Sequence, residues 1–435
     1  MDFMDAAHLS LVIIAITVVL FVTEKIPLAL TAVLSAVAMG VFKVMPLNQV
    51  YVGWGSTTTA MVAGMMVIGD CVFESGLAKV IGGKLIKTKL AQNERVLAFT
   101  VTAIGCLVSA FLSNSATIAT MMPLIAAVVY KSNGRLHNKY LIMGCGFGCA
   151  IGGASTLVGS TAQLIAQGIL EKTPGCRPLT MFEFTPPGVI LCIILCVYMA
   201  TIGYEIEKRV MDFPDKSPVA IDPAAWDNDE EEKMTPKMWV SAIVLILCIV
   251  GFIFSIWNIA VIAVTGAAVC ILFGCKDLHK ALRDLDWNTL VILGAAQGFA
   301  KGLDVSGGGK LIANFVVNIF GGQNASLVAI FVAGIVVSTV LTNFMSNTAV
   351  LAMLTPIFIN IGFQLNVHPE VLIIGLILGG SNAIGTPVGT PCVTQTLPAG
   401  YRYMDYVKVG APITIILMIV TCIILPMIYG FQPIN

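Results

Sequence analysis

Apolar runs of roughly 17 to 25 residues recur along the chain, as at residues 6–22, 28–44, 238–254 and 413–428, each about long enough to cross a ~30 Å hydrocarbon core. The polar positions are bunched between these runs rather than spread through them. The longest charged stretch begins at Glu205 and ends at Lys237, with Asp222, Asp227, Asp229 and Glu230 to Glu232 inside it. It divides the apolar segments into a first set, residues 1–203, and a second, residues 238–435, with residues 204–237 read as a solvated cytoplasmic linker.

The two sets repeat each other. Residues 72–85 (VFESGLAKVIGGKL) agree with residues 298–311 (GFAKGLDVSGGGKL) at seven of fourteen positions. Residues 112–124 (LSNSATIATMMPL) lie over 345–357 (MSNTAVLAMLTPI), and TLVGST at 156–161 lies over TPVGTP at 386–391. The order is kept and the offsets are similar, as in transporters built from two related halves.

Lysine and arginine placement sets the orientation. Lys79, Lys84, Lys87, Lys89 and Arg95 precede the first Ser-Asn segment, and Lys131, Arg135 and Lys139 follow it. A segment with both flanks cytoplasmic reads as a re-entrant helical hairpin tipped by Ser113, Asn114 and Ser115. After the second copy, residues 364–369 contain no lysine or arginine, whereas Lys276, Lys280 and Arg283 lie one span before its half. The second hairpin is therefore expected from the opposite face. The pattern predicts an all-α polytopic membrane protein of two inverted repeats, with ten transmembrane helices, two re-entrant hairpins, two discontinuous helices and both termini outside.

Composition sharpens this reading. Of 435 residues, 57% are hydrophobic and 11% charged, too apolar for an ordinary water-facing surface. A formal net charge of zero gives no field for nucleic acid. The N-terminus lacks a cationic region and a small-residue cleavage site, so its first apolar run reads as a retained helix rather than a signal peptide. Twelve cysteines fall singly or as helical pairs inside apolar segments and read as packing residues. His8, His137, His279 and His368 fall near segment ends and carry no assigned chemistry. No GxxxxGK[ST] motif and no GxGxxG preceding a soluble helix is present, which argues against direct ATP driving. No nucleophile, base or metal cluster argues for an enzyme.

The candidate chemistry lies at the tips. Backbone at membrane depth is tolerated where it lines a cavity, and half-helices starting near Ala116 and Ala349 would aim unpaired N–H groups there, which favours an anion. A single Ser-Asn copy reads as a helix N-cap; two matched copies favour a ligand site. Breakers follow each hairpin: Gly152, Gly153 and Gly159, then Gly379, Gly380, Gly385, Pro387, Gly389 and Pro391. Unwound helices there would expose carbonyl oxygens suited to Na⁺. Gly144, Gly146 and Gly148 read as close-packing residues. These segments carry no acid or lysine for a proton relay. Asp70, Glu74 and Asp304 lie near span ends and read as interfacial or pairing groups in preference to a proton relay.

With FVTEKIPLALTAVL near the start, the Ser-Asn-Ser and Ser-Asn-Thr tips with Pro123 and Pro356, LVGSTAQLI and VGTPCV, the chain resembles the divalent anion/sodium symporter family of dicarboxylate and sulfate carriers along nearly its whole length. The resemblance implies Ser113, Asn114, Ser115, Ser346, Asn347, Thr348 and Thr390 as anion ligands. It implies one Na⁺ site at Ser109, Ser113, Asn114 and Gly159, and a second at Thr342, Met345, Asn347 and Gly389, with Met345 acting through its backbone carbonyl. The sequence departs from the family in Ser115 for threonine, in LVGSTAQLI, which lacks the usual paired prolines and asparagine, in a single proline in VGTPCV, and in lacking the additional span with which the family begins.

The expected function is secondary active transport of small anions, foremost sodium-coupled uptake of C4-type dicarboxylates by alternating access. Sodium-independent dicarboxylate exchange, carriage of sulfate or another oxyanion, and an anion channel are the alternatives. The expected partners are the anion, Na⁺, membrane lipid and a second copy in a homodimer; no cofactor other than the coupling ion is expected.

Overall fold

The computed structural model describes residues 5–434 except 24, 78–79, 81–92, 133, 219–233, 255, 321 and 323–325. Lys79, Lys84, Lys87, Lys89 and the acidic middle of the linker lie outside the described residues, as does half of the first copy of the earliest repeat match. Among the described residues there are nineteen α-helices and no strand longer than an isolated bridge between Val367 and Pro433.

The first half contains α1 (Ala6–Thr23), α2 (Leu28–Val41) and α3 (Thr57–Glu74). A hairpin follows, formed by α4 (Glu94–Ser109) and α5 (Asn114–Lys131), then a broken pair, α6 (Ile142–Gly153) and α7 (Thr161–Lys172). Finally α8 (Thr185–Ala200) bends by 45° into α9 (Ile202–Val210). The second half repeats this plan with α10 (Pro236–Ile253), α11 (Ile259–Leu272), the short α12 (Leu278–Asp284), α13 (Trp287–Ser306) and α14 (Gly308–Ile319). Its hairpin is α15 (Leu327–Thr342) and α16 (Asn347–Gln364), its broken pair α17 (Glu370–Ser381) and the single turn α18 (Pro391–Thr394), and α19 (Tyr403–Tyr429) closes the chain. The residues 141–170 read as one discontinuous span are two helices separated by seven non-helical residues, 154–160.

By length and apolarity α3, α10, α16 and α19 can each cross a membrane, and α8 with α9 makes a fifth bent span; α1, α2, α11, α15 and α17 are shorter apolar helices. The half-helices after the tips begin at Asn114 and Asn347, two residues before the expected Ala116 and Ala349. The reason is that Ser113 and Ser346 are themselves the N-cap residues. The linker also differs from a solvated loop at its start. Glu205 to Val210 continue α9, Glu207 is completely buried, and the Lys139 ammonium donates to the carbonyls of Met211 (3.1 Å) and Phe213 (2.7 Å). Asp215 accepts from the backbone N–H groups of Asn138 and Lys139.

Packing follows the repeat, but across the halves. Helix α3 packs on α11, and its repeat mate α13 packs on α2, the mate of α11. Small residues allow both approaches. A Cβ on Gly64 would lie 2.6 Å from the Ala263 carbonyl carbon, and one on Gly298 3.3 Å from the Ala36 Cβ. Within each half the hairpin packs on the broken helix, α4 on α6 and α15 on α17. There Gly105 faces the Cys145 carbonyl and Gly379 the Ile335 carbonyl, at 2.8 and 2.9 Å from an added Cβ.

Candidate anion and cation site

Four hydroxyl residues occupy equivalent corners of the two halves. Ser113 starts α5 with φ −55° and ψ 130°, and Ser346 starts α16 with φ −58° and ψ 133°. Ser160 starts α7 and Thr390 starts α18, both with extended backbone. None of the four side chains caps its own helix. Elsewhere Ser56, Thr235, Asn258 and Ser326 do cap, each accepting from a backbone N–H in the first turn. The tip hydroxyls are therefore uncommitted where capping would ordinarily use them, and the first-turn N–H groups of α5, α7 and α16 remain without a side-chain partner.

All four corners open onto one cavity of about 410 Å³. Every residue expected to bind the anion lines it: Ser113, Asn114, Ser115, Ser346, Asn347, Thr348 and Thr390. The two tips thus meet at one site although they lie 233 residues apart. Met65, Met66 and Phe73 of α3 give an apolar wall opposite them, and Asp70, Asp284, Asp286 and Thr289 line another part. No lysine, arginine or histidine lines it among the described residues. An anion here would be met by neutral donors and helix N-termini.

The cation candidates are brought together in pairs. Gly159 is so close to the end of α4 that an added Cβ would lie 2.7 Å from the Ser109 carbonyl oxygen. Gly389 is in the same relation to α15: its Cβ would overlap the Thr342 carbonyl oxygen and lie 3.4 Å from that of Met345. Each break therefore presses backbone oxygens against the root of its hairpin, and only glycine fits there. The Ser109 hydroxyl lies 2.6 Å from the Asn114 amide oxygen and 2.9 Å from the Cys149 carbonyl. Thr342 instead donates its hydroxyl back to Ser338 of its own helix at 2.7 Å. The Asn347 amide nitrogen is 3.4 Å from the Thr390 hydroxyl. Oxygen-only sets of this kind suit a hard cation.

Sequence reading missed Ser160, Thr161 and the α3 wall. Thr161 lies 3.4 Å from Thr348 across the cavity, hydroxyl to hydroxyl. Ser160 was legible in principle as the repeat mate of Thr390. The acids near the cavity are paired, as expected: Lys276 bridges Asp70 (2.9 Å), Glu74 (3.0 Å) and Asp284 (3.1 Å), and Lys301 pairs with Asp304. Burial alone would lower the Lys276 pKa, yet its hydrogen bonds to Asp70 and Glu74 dominate and hold it above the ordinary range.

A helical fold of two inverted repeats with paired hairpin tips at a shared cavity defines a secondary transporter integral to the membrane. Residues 18–379 match the citrate transporter family, and the chain belongs to it, within the divalent anion/sodium symporter type. An uncharacterised transporter of Haemophilus influenzae is 28% identical, covering 97% of this chain and 91% of its own. The sodium-dependent dicarboxylate transporter SdcS of Staphylococcus saprophyticus is 25% identical, covering 85% and 76%. Two solved structures share the fold. The YdaH transporter of Alcanivorax borkumensis has a TM-score of 0.64 at 17% identity, covering 87% of this chain and 85% of its own. The antimetabolite efflux pump MtrF of Neisseria gonorrhoeae has 0.62 at 14%, covering 100% and 97%. The family is one of transporters.

Proposed function

We propose that the protein takes up a C4-type dicarboxylate by sodium-coupled alternating access, with the carboxylates on the hydroxyls and amides of Ser113, Asn114, Ser115, Ser346, Asn347, Thr348 and Thr390. The observation that carries this reading is the convergence of uncapped N-terminal hydroxyls from both halves on a cavity lined by no basic side chain. A dianion there meets neutral donors at the tips and Asp70, Asp284 and Asp286 elsewhere on the cavity, which is unfavourable without a bound counter-cation. Na⁺ at the Gly159 and Gly389 breaks supplies that charge, binds first, and orders the tips. The sodium-dependent dicarboxylate relatives support the same coupling.

In this reading residues 1–203 and 238–435 are the two repeats, the 204–237 linker is cytoplasmic, both termini face outside the cell membrane, and the protein is a homodimer. The hairpins and broken helices move as a body against α3 and α11. Asp70 and Asp284, on the Lys276 side, mark the cytoplasmic mouth, so the cavity is inward-facing.

The test is uptake of labelled succinate into proteoliposomes with and without an inward Na⁺ gradient, and with internal dicarboxylate. Gradient-dependent uptake is expected; uptake that needs only internal dicarboxylate would assign exchange instead. Asn114→Ala and Asn347→Ala should each reduce uptake to background, and normal transport by both would overturn the site. The family's description as citrate transporters favours a second substrate, a tricarboxylate. Competition by unlabelled citrate and sulfate ranks the anions.

A further inference from the structure

Pseudo-symmetry makes the two cation sets look equivalent, but their hydrogen bonding is not. In the first half, the Asn114 amide oxygen lies 2.6 Å from the Ser109 hydroxyl, whose single proton it shares with the Cys149 carbonyl at 2.9 Å, the shorter contact being to Asn114. The break beside it is also filled by a donor. The side-chain amide of Gln163, completely buried, donates to the Gly153 carbonyl at 2.9 Å and to that of Thr156. In the second half neither device exists. The Thr342 hydroxyl is turned into its own helix, onto Ser338 and Thr339. The residue that matches Gln163 in the repeat is Val393, which has no side-chain donor. The Asn347 amide oxygen is buried with no hydrogen-bond partner, and the residue is 8% exposed.

A buried acceptor left unmet is unfavourable, whereas one that already holds a donor must give up that bond before it can ligate a cation. We infer that the two sites are unequal. The set around Asn347, with Gly389 and the carbonyls of Thr342 and Met345, is the tight Na⁺ site and fills first. The set around Asn114 is held closed by Ser109, with Gln163 occupying the neighbouring carbonyls, and takes Na⁺ weakly. This ranking rests on the sodium reading proposed above. It adds an order of binding, and it assigns Gln163 the positioning role of an internal donor that takes up oxygen valence in the first break.

The test uses purified full-length protein in detergent without substrate, following Tm as NaCl replaces choline chloride at constant ionic strength, since a ligand of the folded state raises Tm by mass action. Wild type should show a saturable Na⁺ shift. Asn347→Ala should raise the half-saturating Na⁺ concentration by about tenfold or more, while Asn114→Ala should leave it within about twofold. Asn347→Asp keeps an oxygen at the position and should retain the shift, which separates loss of a ligand from loss of the fold. The ranking is overturned if Asn114→Ala removes the shift and Asn347→Ala does not, or if the two variants weaken it equally. Absence of any Na⁺ shift in wild type would remove the sodium reading itself, and the ranking with it.

Discussion

Glu207 occupies an unusual position for a carboxyl. It is completely buried in α9, both oxygens lack hydrogen-bond partners, and Tyr140, Tyr198, Tyr401 and the like-charged Glu94 lie within electrostatic reach. A buried carboxyl with no donor is unfavourable in either protonation state, so Glu207→Leu, of similar length and without a polar head, should raise Tm; a fall in Tm would count against it. The pairing of Asp70, Glu74 and Asp304 was legible from their places at span ends. Glu207 was not, because nothing in the local sequence EIEKRV says that this acid faces the protein while Glu205 faces out to pair with Arg95. At the Lys276 cluster the opposite substitution informs. Lys276→Met would leave Asp70 without a cation, while Glu74 keeps Lys280 and Asp284 keeps Arg283, so a measurable fall in Tm is expected. Adding Asp70→Asn should recover part of the lost Tm.

Among the elements, the broken helices carry the clearest relation of sequence to shape. Their glycines and prolines were readable as breakers; the breaks take in Gly159, Gly385, Pro387 and Gly389, whereas Gly152, Gly153, Gly379 and Gly380 stay inside the helices before them and Pro391 opens α18. The starting points of the following helices were not fully readable, because a serine at an N-cap and a serine one residue outside it look alike until the backbone is seen. Gly389→Ala would place a methyl group on the Thr342 carbonyl. It should lower Tm and abolish uptake, since backbone rather than a flexible side chain must move. Gly380→Ala, where the nearest atoms are the side-chain atoms of Ser338 and Thr342 at 3.2 and 3.4 Å, should be far better tolerated. Similar losses from both substitutions would show that the break is not the sensitive element.

At the scale of the molecule, internal similarity revealed two halves but not how they hold each other. Repeats compare a half with its twin, whereas contacts join α3 to α11 and α13 to α2, elements that are not twins. Neither half can bury these faces alone. Co-expression of two fragments divided between residues 219 and 233 should restore Na⁺-dependent uptake, while either fragment alone should be degraded. Full stability of one fragment by itself would contradict the interlocked packing.

The same interlocking shapes how such a chain can change over time. A bulkier residue at Gly64 meets the Ala263 backbone in the other half, and one at Gly298 meets the Val50 carbonyl, so accommodating shifts pass between the halves along those two seams. The two seams need not change together. After the duplication that the repeats record, each copy would have become the other's selective environment, and the two could diverge in sequence, as Gln163 and Val393 have, without ever becoming separable.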